Sequence, residues 1–170
     1  MKAVSPTFPG VVLAALFLAG CSHYQLGTGK GPAFHTLYVE PVANKTTLPQ
    51  ARAAISTRLR ETFARDGRVT LVNAPGEADA TLEVTIVDFH RSVAAVREDD
   101  TGLARKFDLI LDVDCTLRQR DGSLVLDHRR IEAVREAFTD GGQLQSEYQT
   151  LPLLADVVAQ KVAHAALDTW

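Results

Sequence analysis

Asp112 and Asp114 stand two residues apart, so any extended segment carries both on one side, about 6.6 to 6.8 Å apart along the strand. Paired acids at such a separation can hydrolyse a glycosidic bond. The same alternation also places polar residues on the open face of a half-buried antiparallel strand, and that reading is preferred. Cys115 shares its parity with Phe107, Leu109, Leu111, Val113 and Leu117, which makes it a buried thiol rather than a nucleophile. The histidines, His23, His35, His90, His128 and His164, are scattered, with no His-Glu-x-x-His pattern, and they read as structural or surface residues. No Gly-x-Ser-x-Gly elbow supports a serine hydrolase. Gly27-Thr28-Gly29-Lys30-Gly31 lacks the spacing of a phosphate loop and has no strand before it. Four cations remain, Arg91, Arg97, Arg105 and Lys106, flanking one expected hairpin among Glu98, Asp99 and Asp100. They could meet the phosphates of an anionic lipid; the mixed signs equally describe a solvated loop.

The other group with chemistry is Cys21, at the end of an N-terminal address. Lys2 supplies a positive start, Val11 to Leu18 is a short apolar run, and Leu18-Ala19-Gly20-Cys21 follows. The run is too short to span a bilayer. Those four residues resemble the bacterial lipobox, where small residues before a cysteine admit the lipoprotein signal peptidase. The resemblance implies cleavage before Cys21 and acylation of its thiol and new amine. More than one acyl chain turns marginal membrane binding into stable anchoring. By the same resemblance, Ser22 directs the lipoprotein to the outer membrane. A leader of bacterial type leaves the glycosylation match at Asn44-Lys45-Thr46 without meaning.

These groups need a scaffold. With 170 residues, 46% hydrophobic, 23% charged and 6% aromatic, the chain falls in the ordinary globular range with room for one domain. A net charge of -3 gives no nucleic-acid-binding footprint, and two cysteines cannot build a disulfide framework. Residues 1–20 are read as the signal, 21–34 as the lipidated cysteine with a Gly-rich tether, and 35–170 as a single domain.

Within it, His35 to Glu40 alternates as a strand. Pro49 opens a helix with Ala51, Ile55, Leu59 and Phe63 on one stripe, stopped by Asp66-Gly67. Val69 to Val72 is a short strand. Leu82, Val84 and Ile86 point inward on a third strand, and Leu109 to Leu117 on a fourth. Arg120-Asp121-Gly122 makes a tight hairpin into a fifth strand, which starts with Leu124 and Leu126 inward and changes phase beyond His128, as at a bulge or strand end. A last helix opens near Thr150 and Pro152 and carries Leu151, Leu154, Val158, Val162 and Ala165. The expected fold is α+β: two helices on one face of a four- to five-stranded, mostly antiparallel mixed sheet, in the order β-α-β-β-β-β-α.

The lipobox, Leu37-Tyr38-Val39 with Asn44-Lys45-Thr46, Glu77-Ala78-Asp79-Ala80-Thr81-Leu82, the strand from Arg105 to Leu117, and Arg120-Asp121-Gly122 follow one another in an order that resembles the LptE family of lipopolysaccharide-assembly lipoproteins. The resemblance covers about residues 18 to 168. It implies a small α/β domain tethered to the outer membrane on its periplasmic face, without catalysis and with no cofactor beyond the acyl chains on Cys21. The implied partners are the lipopolysaccharide translocon barrel (LptD-like), whose lumen the domain plugs, and lipopolysaccharide itself. Arg97 falls in the hairpin implicated in lipopolysaccharide contact, whereas Leu144-Gln145-Ser146-Glu147 lacks a second cation. Two other readings stay open: an auxiliary lipoprotein of another envelope transport system, and a periplasmic hydrolase using Asp112 and Asp114.

Overall fold

The computed structural model describes residues 31–93, 106–138 and 143–168. The expectations for the signal, Leu18, Ala19, Gly20, Cys21 and the tether up to residue 30, for Arg97 and Arg105, and for the loop from Thr139 to Gly142 therefore lie outside the described residues.

Strand β1 (Thr36–Val39) is followed by β2 (Ala43–Asn44), α1 (Pro49–Asp66), β3 (Thr70–Leu71), β4 (Ala80–Val93), β5 (Lys106–Gln119), β6 (Leu124–Phe138) and α2 (Gln143–Leu167). The sheet runs β3-β1-β4-β5-β6, with β2 also on β4. The three short strands pair parallel, and the three long ones antiparallel. Both helices cover one face, which gives the expected α+β architecture. The two-residue β2 has no signal of its own in the sequence. It is fixed by Asn44, whose side-chain oxygen accepts from the Thr46 amide and hydroxyl while its amide nitrogen donates to Leu48 O. Asn44 thus shapes the turn into α1, a local job that Asn does well.

On α1 the stripe Ala51, Ile55, Leu59 and Phe63 is buried as expected, and Gly67 ends the helix at φ 75°, where a Cβ would be strained. The last helix begins earlier than Thr150. It starts at Gln143 and holds Pro152 inside. The proline read as a start signal because it is most at home in a first turn; here it is exposed, and buried Ser146, Thr150 and Leu151 carry the helix past it.

The long strands are not simple alternations. Ile86 pairs with Val113 but Asp88 with Asp112, so one extra residue shifts β4 and turns Phe89 and Arg91 to the helix-covered face. In β6 two shifts occur: Cys115 pairs with Arg129, Leu117 with Leu126, and Arg118 with Leu124. His128 takes a positive φ of 44° at the first of these. This bulge accounts for the phase change to Ile131 and Ala133, both buried. The second shift corrects the expectation for Leu124, which faces outward and is 44% exposed, while Leu126 packs against the core.

Candidate functional site

The helices run along the long strands, giving the domain two ends. At the base, the chain enters β1, α1 and α2 end, and β5 turns into β6. At the tip, about 40 Å away by the length of β4, β4 ends, β5 begins, β6 ends and both helices start.

The base is a set of paired charges. Asp79 accepts from the main-chain amides of His35 and Thr36 and lies 3.4 Å from Arg120. The hydrogen bond with Thr36 comes first in holding its carboxyl below the usual aspartate range. Arg68 bridges Asp66 at 2.6 Å and Asp168 at 2.5 Å, and His164 also contacts Asp168. The Arg68 hydrogen bond is the leading reason why both aspartates titrate low. In the β5–β6 turn Asp121 accepts from Ser123, and Gly122 takes φ 89°. This is the tight Asp-Gly hairpin expected from the sequence.

The tip differs. Val93, Phe138, Tyr148 and Leu153 are all large hydrophobics that are half or more exposed. A groove of about 770 Å³ lies between the start of α1, the end of β4 and the start of α2, and is lined by Pro49, Gln50, Phe89, Arg91 and Tyr148. Of the cations singled out in the sequence, Arg91 and Lys106 are described, and the structure does not bring them together. The shift in β4 places Arg91 on the helix-covered face, where its guanidinium meets Glu147 at 2.9 Å. Lys106 lies on the open face and pairs with Glu136 at 2.6 Å, the hydrogen bond that chiefly raises its pKa. The segment that lacks a cation, residues 144–147, instead supplies the carboxylate that positions Arg91. Tyr148 and Phe89 were not singled out in the sequence, and only the helix extension and the strand shift bring them to one groove.

Asp112 and Asp114 sit on the open face as expected, each with its own partner. Arg130 donates to Asp112 at 2.7 Å, and His128 meets Asp114 at 3.0 Å. Cys115 is fully buried, and burial pushes its pKa up to about 12, so the thiol stays protonated at neutral pH. Among the described residues no three His, Cys, Asp or Glu side chains gather as a metal would need, and no helix is long and apolar enough to cross a membrane.

The family model for LptE, lipopolysaccharide-assembly, matches residues 34–165. The chain belongs to the LptE family. Its first matched residue, Phe34, is also where core packing starts, at 2% exposure. Among curated proteins none matches the chain. Solved structures share the LptE-like fold at low identity. A minor lipoprotein from Acinetobacter baumannii is 18% identical, with a TM-score of 0.50 over 79% of this chain and 92% of that one. Lipoprotein B from Nitrosomonas europaea is 16% identical, with a TM-score of 0.53 over 76% and 79%. The hypothetical protein CT253 from Chlamydia trachomatis is 11% identical, with a TM-score of 0.54 over 76% and 93%. LptE membership makes this chain a lipopolysaccharide-assembly protein of the cell envelope, with the character of an accessory protein.

Proposed function

We propose that the protein is an outer-membrane lipoprotein, anchored on the periplasmic face by acyl chains on Cys21, that plugs the lumen of an LptD-like translocon barrel and assists insertion of lipopolysaccharide at the cell surface. It performs no chemistry and needs no cofactor. The observation that carries this reading is the family match over residues 34–165. The polarity of the domain supports it physically. Thr36 opens β1 at the base, so a membrane tether leading into it leaves the tip about 40 Å farther on, by the rise of a 14-residue strand. The tip combines exposed Val93, Phe138, Tyr148 and Leu153 with Arg91 and Lys106, and a lipid bearing phosphates on sugars offers partners to both kinds of group. A polar, rigid open face suits a water-lined barrel lumen. In this reading Arg97, between β4 and β5 in sequence, meets lipopolysaccharide phosphate.

The test is in-cell photocrosslinking from Tyr148, Phe138 and Asp114 with mass-spectrometric identification of the captured protein. Capture of one outer-membrane barrel from all three positions supports the plug; capture of an inner-membrane transporter overturns it. Cys21→Ser should leave an unprocessed or mislocalised precursor, since anchoring needs the thiol as acyl acceptor.

A further inference from the structure

β6 is the outer strand of the sheet, fifteen residues long, with β5 on one side and, among the described residues, no strand on the other. A long edge of unpaired main-chain groups is a template for another strand. Two carbonyls on this edge are met by side chains of α2: Lys161 Nζ donates to Glu132 O at 2.8 Å, and the Ser146 hydroxyl donates to Phe138 O. In an antiparallel strand the N–H and C=O of one residue point the same way, so residues 130, 132, 134, 136 and 138 present theirs outward. Beyond the bulge at His128, the register from Arg129 to Phe138 is unbroken.

We propose that residues 129–137 pair antiparallel with the same stretch of a second copy of this chain, about a two-fold axis at Ala133, joining two sheets into one. The charges select this axis. Around Ala133, Arg130 faces Glu136 of the second copy, and the symmetry repeats the pair. Glu132 then faces Val134, and Arg129 faces Ala137. An axis at Glu132 sets that carboxylate against itself, and one at Val134 sets Glu132 against Glu136 twice. An axis at Ile131 draws the bulged residues into the ladder. The main chain agrees with the charges. Pairs 130/136 and 132/134 join outward-pointing residues, while Ala133 meets its counterpart at the close, non-bonded position. The Arg130 and Glu136 side chains are 63% and 55% exposed, and each meets a neighbour by sharing or exchanging its own partner, Asp112 or Lys106. Along the main chain only Lys161 must leave Glu132 O, because the Ser146 bond to Phe138 lies outside the paired stretch. The pairing hides the edge in any copy not yet engaged elsewhere.

Disulfide trapping in intact envelopes tests this with the full chain. Arg130→Cys and Glu136→Cys are placed on separately tagged, co-expressed copies; Glu132→Cys and Val134→Cys repeat the experiment at the other bonded pair, so that loss of the Arg130–Asp112 contact does not decide the result. Opposed Cα atoms about 5.5 Å apart are within disulfide reach, whereas residues 130 and 136 of one strand are about 20 Å apart. Each mixed pair should give a covalent dimer, and each single variant alone should give at least five-fold less. Adding Glu136→Arg to the 132/134 pair should cut its yield by a similar factor. Absence of dimer from both pairs, equal yield from a 130/132 pair, or trapping only onto a different protein overturns the proposal.

Discussion

The base and the tip of this domain are built from the same strands and helices, yet they solve opposite problems. At the base, several charged side chains are held: Asp79 by two main-chain amides, Arg68 by two aspartates, Asp121 by its own turn. At the tip, Val93, Phe138, Tyr148 and Leu153 are half or more exposed, Tyr148 lining one groove and Phe138 with Leu153 another, and their exposure does nothing for the fold. Monomeric proteins scatter single exposed hydrophobics freely, and the proposed function gives these four a partner to meet. The base spends its polar groups on each other; the tip leaves its apolar groups for something else.

The largest effect should come from breaking what both ends share. Leu111 is fully buried between the two helices and the strands of the sheet. Leu111→Asp should cost more than about 3 kcal/mol, by burying an unpaired charge, and thermal melting should show both ends lost in one transition. A melt coinciding with the parent would mean that the strand parity is wrong. Next, Gly122→Ala should cost about 1 to 2 kcal/mol, since φ 89° strains any Cβ although the space around it is open. A comparable change at the tip, Tyr148→Ala, should shift stability by less than about 0.5 kcal/mol while weakening lipopolysaccharide binding to the purified protein. Equal losses of stability at the two ends would erase the contrast.

Acid and alkali should separate the ends further. Asp66, Asp79, Asp121 and Asp168 have carboxyls held low by hydrogen bonds, all at the base. Groups depressed in the folded state contribute stability above the ordinary aspartate range and lose it as pH falls through their folded values. Hydrogen exchange at the amides of Thr36 and Asp79 should therefore accelerate in acid before that of Leu109 or Phe107. Lys106 is raised by Glu136, so its contribution is present below the ordinary lysine value and fades as pH rises through the higher folded one. The tip should loosen first in alkali. The smallest expected effect is that of Arg97→Ala: stability unchanged, and lipopolysaccharide binding reduced at low salt but converging with the parent as salt screens the contact. Identical binding across salt concentrations would remove Arg97 from the contact surface.

Much of the fold was legible because burial writes a period into a sequence. Ala51, Ile55, Leu59 and Phe63 recur every four residues, and Leu109 to Leu117 every two, since nothing else lets a helix or strand hide one side. Asp121-Gly122 announced its turn by backbone chemistry alone. Legibility failed where a position depends on a partner strand. Leu124 looks inward by parity, but a register shift, which only the pairing with β5 defines, turns it out. Pro152 looked like a helix start because local preference says so, and burial of Ser146 and Leu151 overrode it.

The cations at the hairpin show the same division. Their identity and nearness in sequence are fixed, as are the buried thiol at Cys115, the α+β class and the family membership that those patterns carry. What the sequence alone determines is every feature set by a residue's own chemistry or by a constant period along one element. The tertiary structure alone decides that Arg91 turns to Glu147 while Lys106 turns to Glu136 on the other face, that Tyr148 and Phe89 share a groove, and that β6 is left as an open edge. Each of those outcomes hangs on a single extra residue in a strand or on the order of strands in the sheet. A one-residue shift reverses the face of every side chain after it, and no local preference records which strand will lie alongside.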